Sequence, residues 1–306
     1  MKKVSGIRVA ALLFLLLAVT ELAVRLSGVG DFATYNVDGQ IGYIPKPNQS
    51  GSFLRTHTWV FNDRSMGTAL PWDPAKRPDI LLIGNSIVMG GNPFDQKDKL
   101  GPQIQGLIGE AYAVWPIAAG GWTNVNEMVY LGRNPDVAQA GRFFVWEYMS
   151  GGLSALASWH SDYTFPRDHP LWASWYAFQR YVWPHLFHAH LSELPPVGAP
   201  EPEQVKRFEA SLAGLCRGTK PKCPGLLFLY PAKTELLQAR QGREWLKERG
   251  EIERIAVENG LSILDIAKWP QWNEDLYRED GVHPTVQGNV VLATILSAAI
   301  REGLSH

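Results

Sequence analysis

The sequence predicts an α/β fold, a doubly wound parallel sheet of five strands with helices on both faces. Five short, nearly continuous apolar runs stand at residues 79–83, 111–118, 142–146, 225–230 and 261–264. Each has the length and composition of a strand buried on both faces. Longer amphipathic stretches lie between and after them, at 100–109, 205–215, 232–259 and 286–301. Strand and helix alternating along one chain put parallel strands into one sheet and helices over its two faces. With 306 residues, 45% apolar and 19% charged, the chain has material for a substantial core and is not broadly disordered. Its formal net charge is −1, without a long run of one sign. No concentrated basic surface is available to neutralise phosphates, so nucleic acid is not an expected partner.

The N-terminus reads as an address. Lys2, Lys3 and Arg8 precede an apolar run over 9–19, followed by Thr20, Glu21 and a second apolar stretch over 22–26. Positive charge ahead of an apolar run is the pattern of a secretory signal. The nearest small-x-small site, Ala18-Val19-Thr20, ends in a residue poorly suited to cleavage. The stretch reaches the ~18 residues of a span when Glu21 sits near the outer interface, where a carboxylate reaches water. Residues 1–28 are therefore expected to be an uncleaved, single-pass anchor in the inner membrane. Its positive end would face the cytoplasm and everything after about residue 28 the periplasmic side. A cleaved signal peptide and a buried core helix are the alternatives.

Residues 29–77 form an extended pre-domain segment, with turn formers over 41–48, an extended piece over 53–62, and Pro71, Pro74 and Pro78 leading to the first strand. The main domain is expected over 78–306. Residues 151–204 interrupt its rhythm with Trp159, Trp172, Trp175, Trp183 and five histidines, and close on Pro195, Pro196 and Pro200. We read this segment as an aromatic insertion between the third and fourth strands, at the strand ends where α/β folds place their sites. The chain's twelve tryptophans serve either as apolar filler or as a sugar- or lipid-contacting surface. His185, His188 and His190 lack an acidic ligand at helical spacing and read as structural rather than metal-binding. Cys216 and Cys223 flank a polar Gly/Pro-containing loop behind an export signal, which favours a disulfide over two free thiols. No metal and no cofactor is expected.

Two blocks carry chemistry. In Ile83-Gly84-Asn85-Ser86 a buried strand ends in a small-residue turn that presents Ser86 where loop and helix-start N–H groups can surround a reacting oxygen. Taken alone, the same turn could simply cap a helix. The second block, Asp280-Gly281-Val282-His283-Pro284, precedes the last helix. A hydroxyl nucleophile needs a base, and the base needs a carboxylate to fix its tautomer. Asp280 and His283 can supply both from one turn, with Pro284 placed to start the helix.

Gly84-Asn85-Ser86 near one end of the domain and Asp280-x-x-His283-Pro284 near the other resemble the SGNH/GDSL hydrolase superfamily over residues 79–301. The resemblance implies a flavodoxin-like three-layer sandwich, Ser86 as nucleophile, His283 as general base and Asp280 as its orienting acid. It implies an oxyanion hole from the Ser86 N–H and a glycine of the second block, Ala118-Ala119-Gly120-Gly121. Gly121 is the expected donor and Gly120 the alternative register. The third block departs from the family: Val145-Trp146-Glu147-Tyr148 stands where Gly-x-Asn-Asp is usual, so the asparagine donor is missing. An exported, membrane-anchored branch, similar to the partners of polysaccharide and alginate O-acetyltransferase systems, matches these departures. The stretch from Trp59 to Gly67 is similar to a hairpin found ahead of the serine in that branch. These likenesses imply an O-acetyltransferase or O-acetylesterase acting on an exported glycan or small acyl ester, with a multispanning membrane acyltransferase as partner. Trp122, Trp172 and Trp175 are the expected substrate contacts. A lipase or thioesterase, and a non-catalytic glycan-binding component, are the other readings.

Overall fold

The computed structural model of the chain describes residues 6–187, 198–216 and 223–305. Lys2, Lys3, His188, His190, Pro195, Pro196 and the 217–222 loop lie outside them. The chain begins with helix α1 (Gly6–Ser27), then two hairpins, β1 (Tyr35–Asp38) with β2 (Gly42–Pro45) and β3 (Gln49–Phe53) with β4 (His57–Phe61). The main unit follows as β5 (Asp79–Gly84), α2 (Ser86–Met89), α3 (Leu100–Ile108), β6 (Ala113–Ala118), α4 (Asn124–Arg133), α5 (Pro135–Ala140) and β7 (Gly141–Tyr148). The insertion holds α6 (Ala173–Ala177), a π-helical turn (Phe178–Val182) and α7 (Trp183–Phe187). The chain closes with α8 (Pro202–Leu215), β8 (Gly225–Leu229), α9 (Lys233–Arg240), α10 (Arg249–Glu258), β9 (Ser262–Asp265) and α11 (Val286–Leu304).

Strands β5 to β9 make one parallel sheet in the order β6-β5-β7-β8-β9. Counted within the sheet this is 2-1-3-4-5, the flavodoxin-like winding, with its switch point beside β5. Every residue of β5, β6 and β8 is buried, which explains why these strands read as unbroken apolar runs. Helix α3 packs with α11 and α4 with α8, flanking the sheet.

Three elements differ from the sequence reading. Residues 124–140 carry two helices that apolar periodicity does not announce, because the inner face of α4 buries Asn124, Asn126 and Glu127. The stretch 232–259 is two helices broken around Gly242, which has φ +72°. The extended piece at 53–62 is half of a hairpin that turns at Leu54 and Arg55, both with positive φ. That turn type usually calls for Asn or Gly.

The pre-domain joins the main core rather than standing apart: Tyr35, Ile41, Tyr43 and Met66 are buried in it, and the Tyr35 N–H donates to Pro166 O of the insertion at 2.9 Å. Cys216 and Cys223 form a disulfide, as expected.

Helix α1 has no buried residue and is long and apolar enough to cross a bilayer; its 22 residues span ~33 Å. Its C-terminal end is bonded to the domain. The Arg55 guanidinium donates to Leu26 O (3.3 Å) and Arg25 O (3.2 Å) and pairs with Asp31 at 3.0 Å. The Glu21 carboxylate accepts from Ala173 N (2.9 Å), Ser174 N (2.8 Å) and Ser174 Oγ (2.7 Å) of α6.

Candidate active site

The site is built at the C-terminal end of β5. Gly84 ends the strand, and a Cβ there would meet Glu147 Oε2 at 2.2 Å and Val88 Cγ2 at 2.6 Å, so only glycine lets the turn pass. Asn85 caps α2: its Oδ1 accepts from Ile87 N at 3.0 Å. A cap is therefore present, as the alternative for this block had it, but Asn85 provides it. Ser86 becomes the first helical residue; its hydroxyl lies 3.4 Å from Asn85 Oδ1 and reaches toward the opposite loop.

That loop brings the second block 197 positions along the chain to Ser86. His283 Nε2 lies 2.9 Å from Ser86 Oγ, and His283 Nδ1 lies 3.0 Å from Asp280 Oδ2. The other Asp280 oxygen accepts from Val282 N (2.9 Å) and His283 N (2.8 Å). Burial raises the pKa of Asp280, but those two N–H groups and the adjoining imidazole outweigh it and hold the carboxyl below its ordinary value. Gly281, at φ +68°, makes the turn. The buried Tyr230 hydroxyl holds it from behind by donating to Val282 O at 2.8 Å. Thr285, not Pro284, caps α11, its Oγ1 accepting from Gly288 N at 3.0 Å. Pro284 thus stands one residue outside the cap and pairs with Tyr277 in an isolated bridge instead of starting the helix.

For the oxyanion hole, the Ser86 N–H opens α2 and has no carbonyl one turn behind it. In the second block the Gly120 N–H is engaged by Met89 Sδ at 3.0 Å. Gly121, at φ +71°, makes no N–H hydrogen bond among the described residues.

The third block supplies no asparagine donor. Glu147, at the end of β7, lies under the nucleophile turn, where its Oε2 accepts the Asn85 N–H at 3.0 Å. Its Oε1 is buried without a partner among the described residues. Burial, with the neighbouring Glu127 adding to it, pushes its pKa well up and so favours the neutral acid. Burial likewise pushes Glu127 up to about 8, against hydrogen bonds from Trp146 Nε1 (2.5 Å) and Asn124 Nδ2 (2.8 Å). The Asn124 amide also donates to Glu147 O at 2.8 Å and is bound into this buried cluster. Neither Asn124 nor Glu127 is legible as a site residue, since each lies in a stretch without apolar periodicity.

Trp122 is not a substrate contact. It is 3% exposed, and its Nε1 donates to Tyr43 O at 2.7 Å, tying the second block to β2. Trp172 and Trp175 are exposed, but their helix packs on α1. His185 is exposed on α7, and no group of three or more potential metal ligands gathers among the described residues.

No protein-family model matches the chain, and no curated protein matches it in sequence. Its backbone is similar to solved structures at low identity. A lipase/acylhydrolase from Enterococcus faecalis aligns at TM-score 0.42 and 12% identity, over 74% of this chain and 96% of that one. A carbohydrate acetylesterase family member from Sinorhizobium meliloti aligns at 0.39 and 13%, over 75% and 100%. A catalytic mutant of an acetylxylan esterase from Geobacillus stearothermophilus aligns at 0.39 and 17%, over 73% and 94%. Likeness at this level carries no weight for substrate or activity.

Proposed function

We propose that this chain is a serine acyl-ester enzyme of SGNH type, anchored in the membrane by α1. It would act as an O-acetyltransferase or O-acetylesterase on an exported glycan. The observation that carries the reading is the unbroken hydrogen-bonded line Ser86 Oγ–His283 Nε2–His283 Nδ1–Asp280 Oδ2 between opposite ends of the domain. In acylation His283 takes the Ser86 proton as Oγ attacks the acyl carbonyl. Asp280, kept ionised, holds the Nδ1–H tautomer and stabilises the imidazolium. The oxyanion is met by the N–H groups of Ser86 and Gly121. His283 returns the proton to the leaving alcohol, and the acyl-enzyme is resolved by water or a sugar hydroxyl that His283 deprotonates in turn.

The absent asparagine donor, worth on the order of 10²–10³ in rate, and the membrane anchor together favour transfer over fast hydrolysis. A multispanning membrane acyltransferase would then hand the acyl group outward to Ser86. The test is turnover of a chromogenic acetyl ester by the full chain in detergent. Ser86→Ala and His283→Ala are expected to lower it by at least ~10³-fold, and Asp280→Asn to retain more. Full activity in Ser86→Ala would end the reading. Acetylated sugar appearing when oligosaccharide is added, with slower loss of ester to water, selects transfer; unchanged hydrolysis with no acetylated product selects the esterase.

A further inference from the structure

We propose that residues 171–187 are a second membrane contact, an aromatic helical segment lying in the plane of the outer bilayer interface beside α1. The inference rests on reading α1 as a membrane span.

The segment is a nearly continuous helix through α6, the π-helical turn and α7. Its sequence from Leu171 to Phe187 holds no acidic residue and a single arginine, Arg180. Its exposed side is large and apolar. Leu171 is 97% exposed and Leu186 59%, with Trp172, Trp175, Val182 and Phe187 also exposed. Side chains of this kind on a water-facing surface mark a lipid or partner surface, and tryptophans and tyrosines favour the headgroup level, where apolar rings and polar edges are both accommodated.

The location decides between a bilayer and other occupants. Glu21 and Arg25 are the first charged residues of α1 after Arg8, so the outer boundary of the span falls beside them. Both are joined to this segment. Glu21 accepts three hydrogen bonds from Ala173 and Ser174, and Arg25 pairs with Glu21 at 2.7 Å and donates to Leu171 O. The helix end and the start of the aromatic segment therefore share one height. A segment fixed there, apolar outward and almost uncharged, has the chemistry of an interfacial helix, whose apolar side enters the headgroup–acyl boundary. Trp172 and Trp175 then contact lipid, not the sugar acceptor.

The experiment uses the full chain in liposomes of neutral and anionic phospholipid. Single cysteines are introduced as Leu171→Cys, Leu186→Cys, Leu13→Cys on α1 and Val257→Cys, which replaces a 76%-exposed residue of α10. Each is spin-labelled, the native cysteines being bonded to each other. Accessibility to oxygen relative to a water-soluble nickel chelate is then read. The expected result is an oxygen-to-nickel ratio several-fold higher at 171, 186 and 13 than at 257. If 171 and 186 match 257 while 13 remains lipid-like, the interfacial contact is refuted and the anchor stands. If all four are aqueous, the anchor reading falls and takes this inference with it.

Discussion

At the scale of single residues, Glu147 shows how a buried acid can shape the turn that presents a serine. It sits where a donor is usual, yet its role is that of an acceptor for the Asn85 N–H. Gly84 is fixed by the same contact, since the carboxyl fills the space of the missing Cβ. Because burial favours the neutral acid, Glu147→Gln is close to isosteric and is expected to keep most of the ester turnover. Glu147→Ala leaves a buried N–H without its partner, a loss of about 1–3 kcal/mol, and loosens the turn that aims Ser86. Comparing turnover and unfolding midpoints of the two variants tests this. Equal, severe loss in both would mean that the carboxylic acid itself takes part in the chemistry.

At the scale of elements, legibility followed burial. Strands β5, β6 and β8 are buried throughout and β7 over all but its first two residues, so their apolar runs stand out in the sequence; β9, at the sheet edge, is buried only at Asp265, yet all five positions agree within a few residues. The hydrogen-bonded set of Ser86, His283 and Asp280 could be assembled from the sequence because its two blocks have fixed local spacing, Gly-Asn-Ser and Asp-x-x-His, whatever lies between them. Helix α4 was not, since it turns Asn124, Asn126 and Glu127 inward and so hides its periodicity. The β3–β4 turn was hidden for a different reason, a backbone conformation that Leu54 and Arg55 rarely adopt. The disulfide was legible from two cysteines and an export signal. It links the end of α8 to the approach to β8, and Cys216→Ser with Cys223→Ser is expected to lower stability by ~2 kcal/mol. Denaturant unfolding with and without reductant measures it, and identical midpoints would refute it.

At the scale of the whole molecule, the Glu127–Glu147 pair makes stability depend on pH. In the fold Glu127 keeps its proton up to about pH 8, whereas the ordinary value is 4.5. Between those values the folded state binds the extra proton, so stability falls as pH rises, by up to ~1.4 kcal/mol per unit for one such group, and levels off above the folded pKa. Asp280, depressed below its ordinary value, acts with the opposite sign and only in acid. Glu127→Gln should therefore gain on the wild type steadily from pH 5 to pH 8 in unfolding midpoint, and parallel curves would show the carboxyl to be ionised in the fold. The bonds that Arg55 makes to the end of α1 also reach beyond stability. A domain on a slack tether sweeps a hemisphere above its anchor point. With α1 spanning a membrane, as proposed, one bolted to its mast would keep Ser86 at a constant height, free only to spin about the bilayer normal and drift sideways. The encounter with the proposed membrane-held acyl donor would then become a search in two dimensions, governed by how densely donors populate the sheet of lipid, while an ester dissolved in the surrounding water would gain nothing from the mounting.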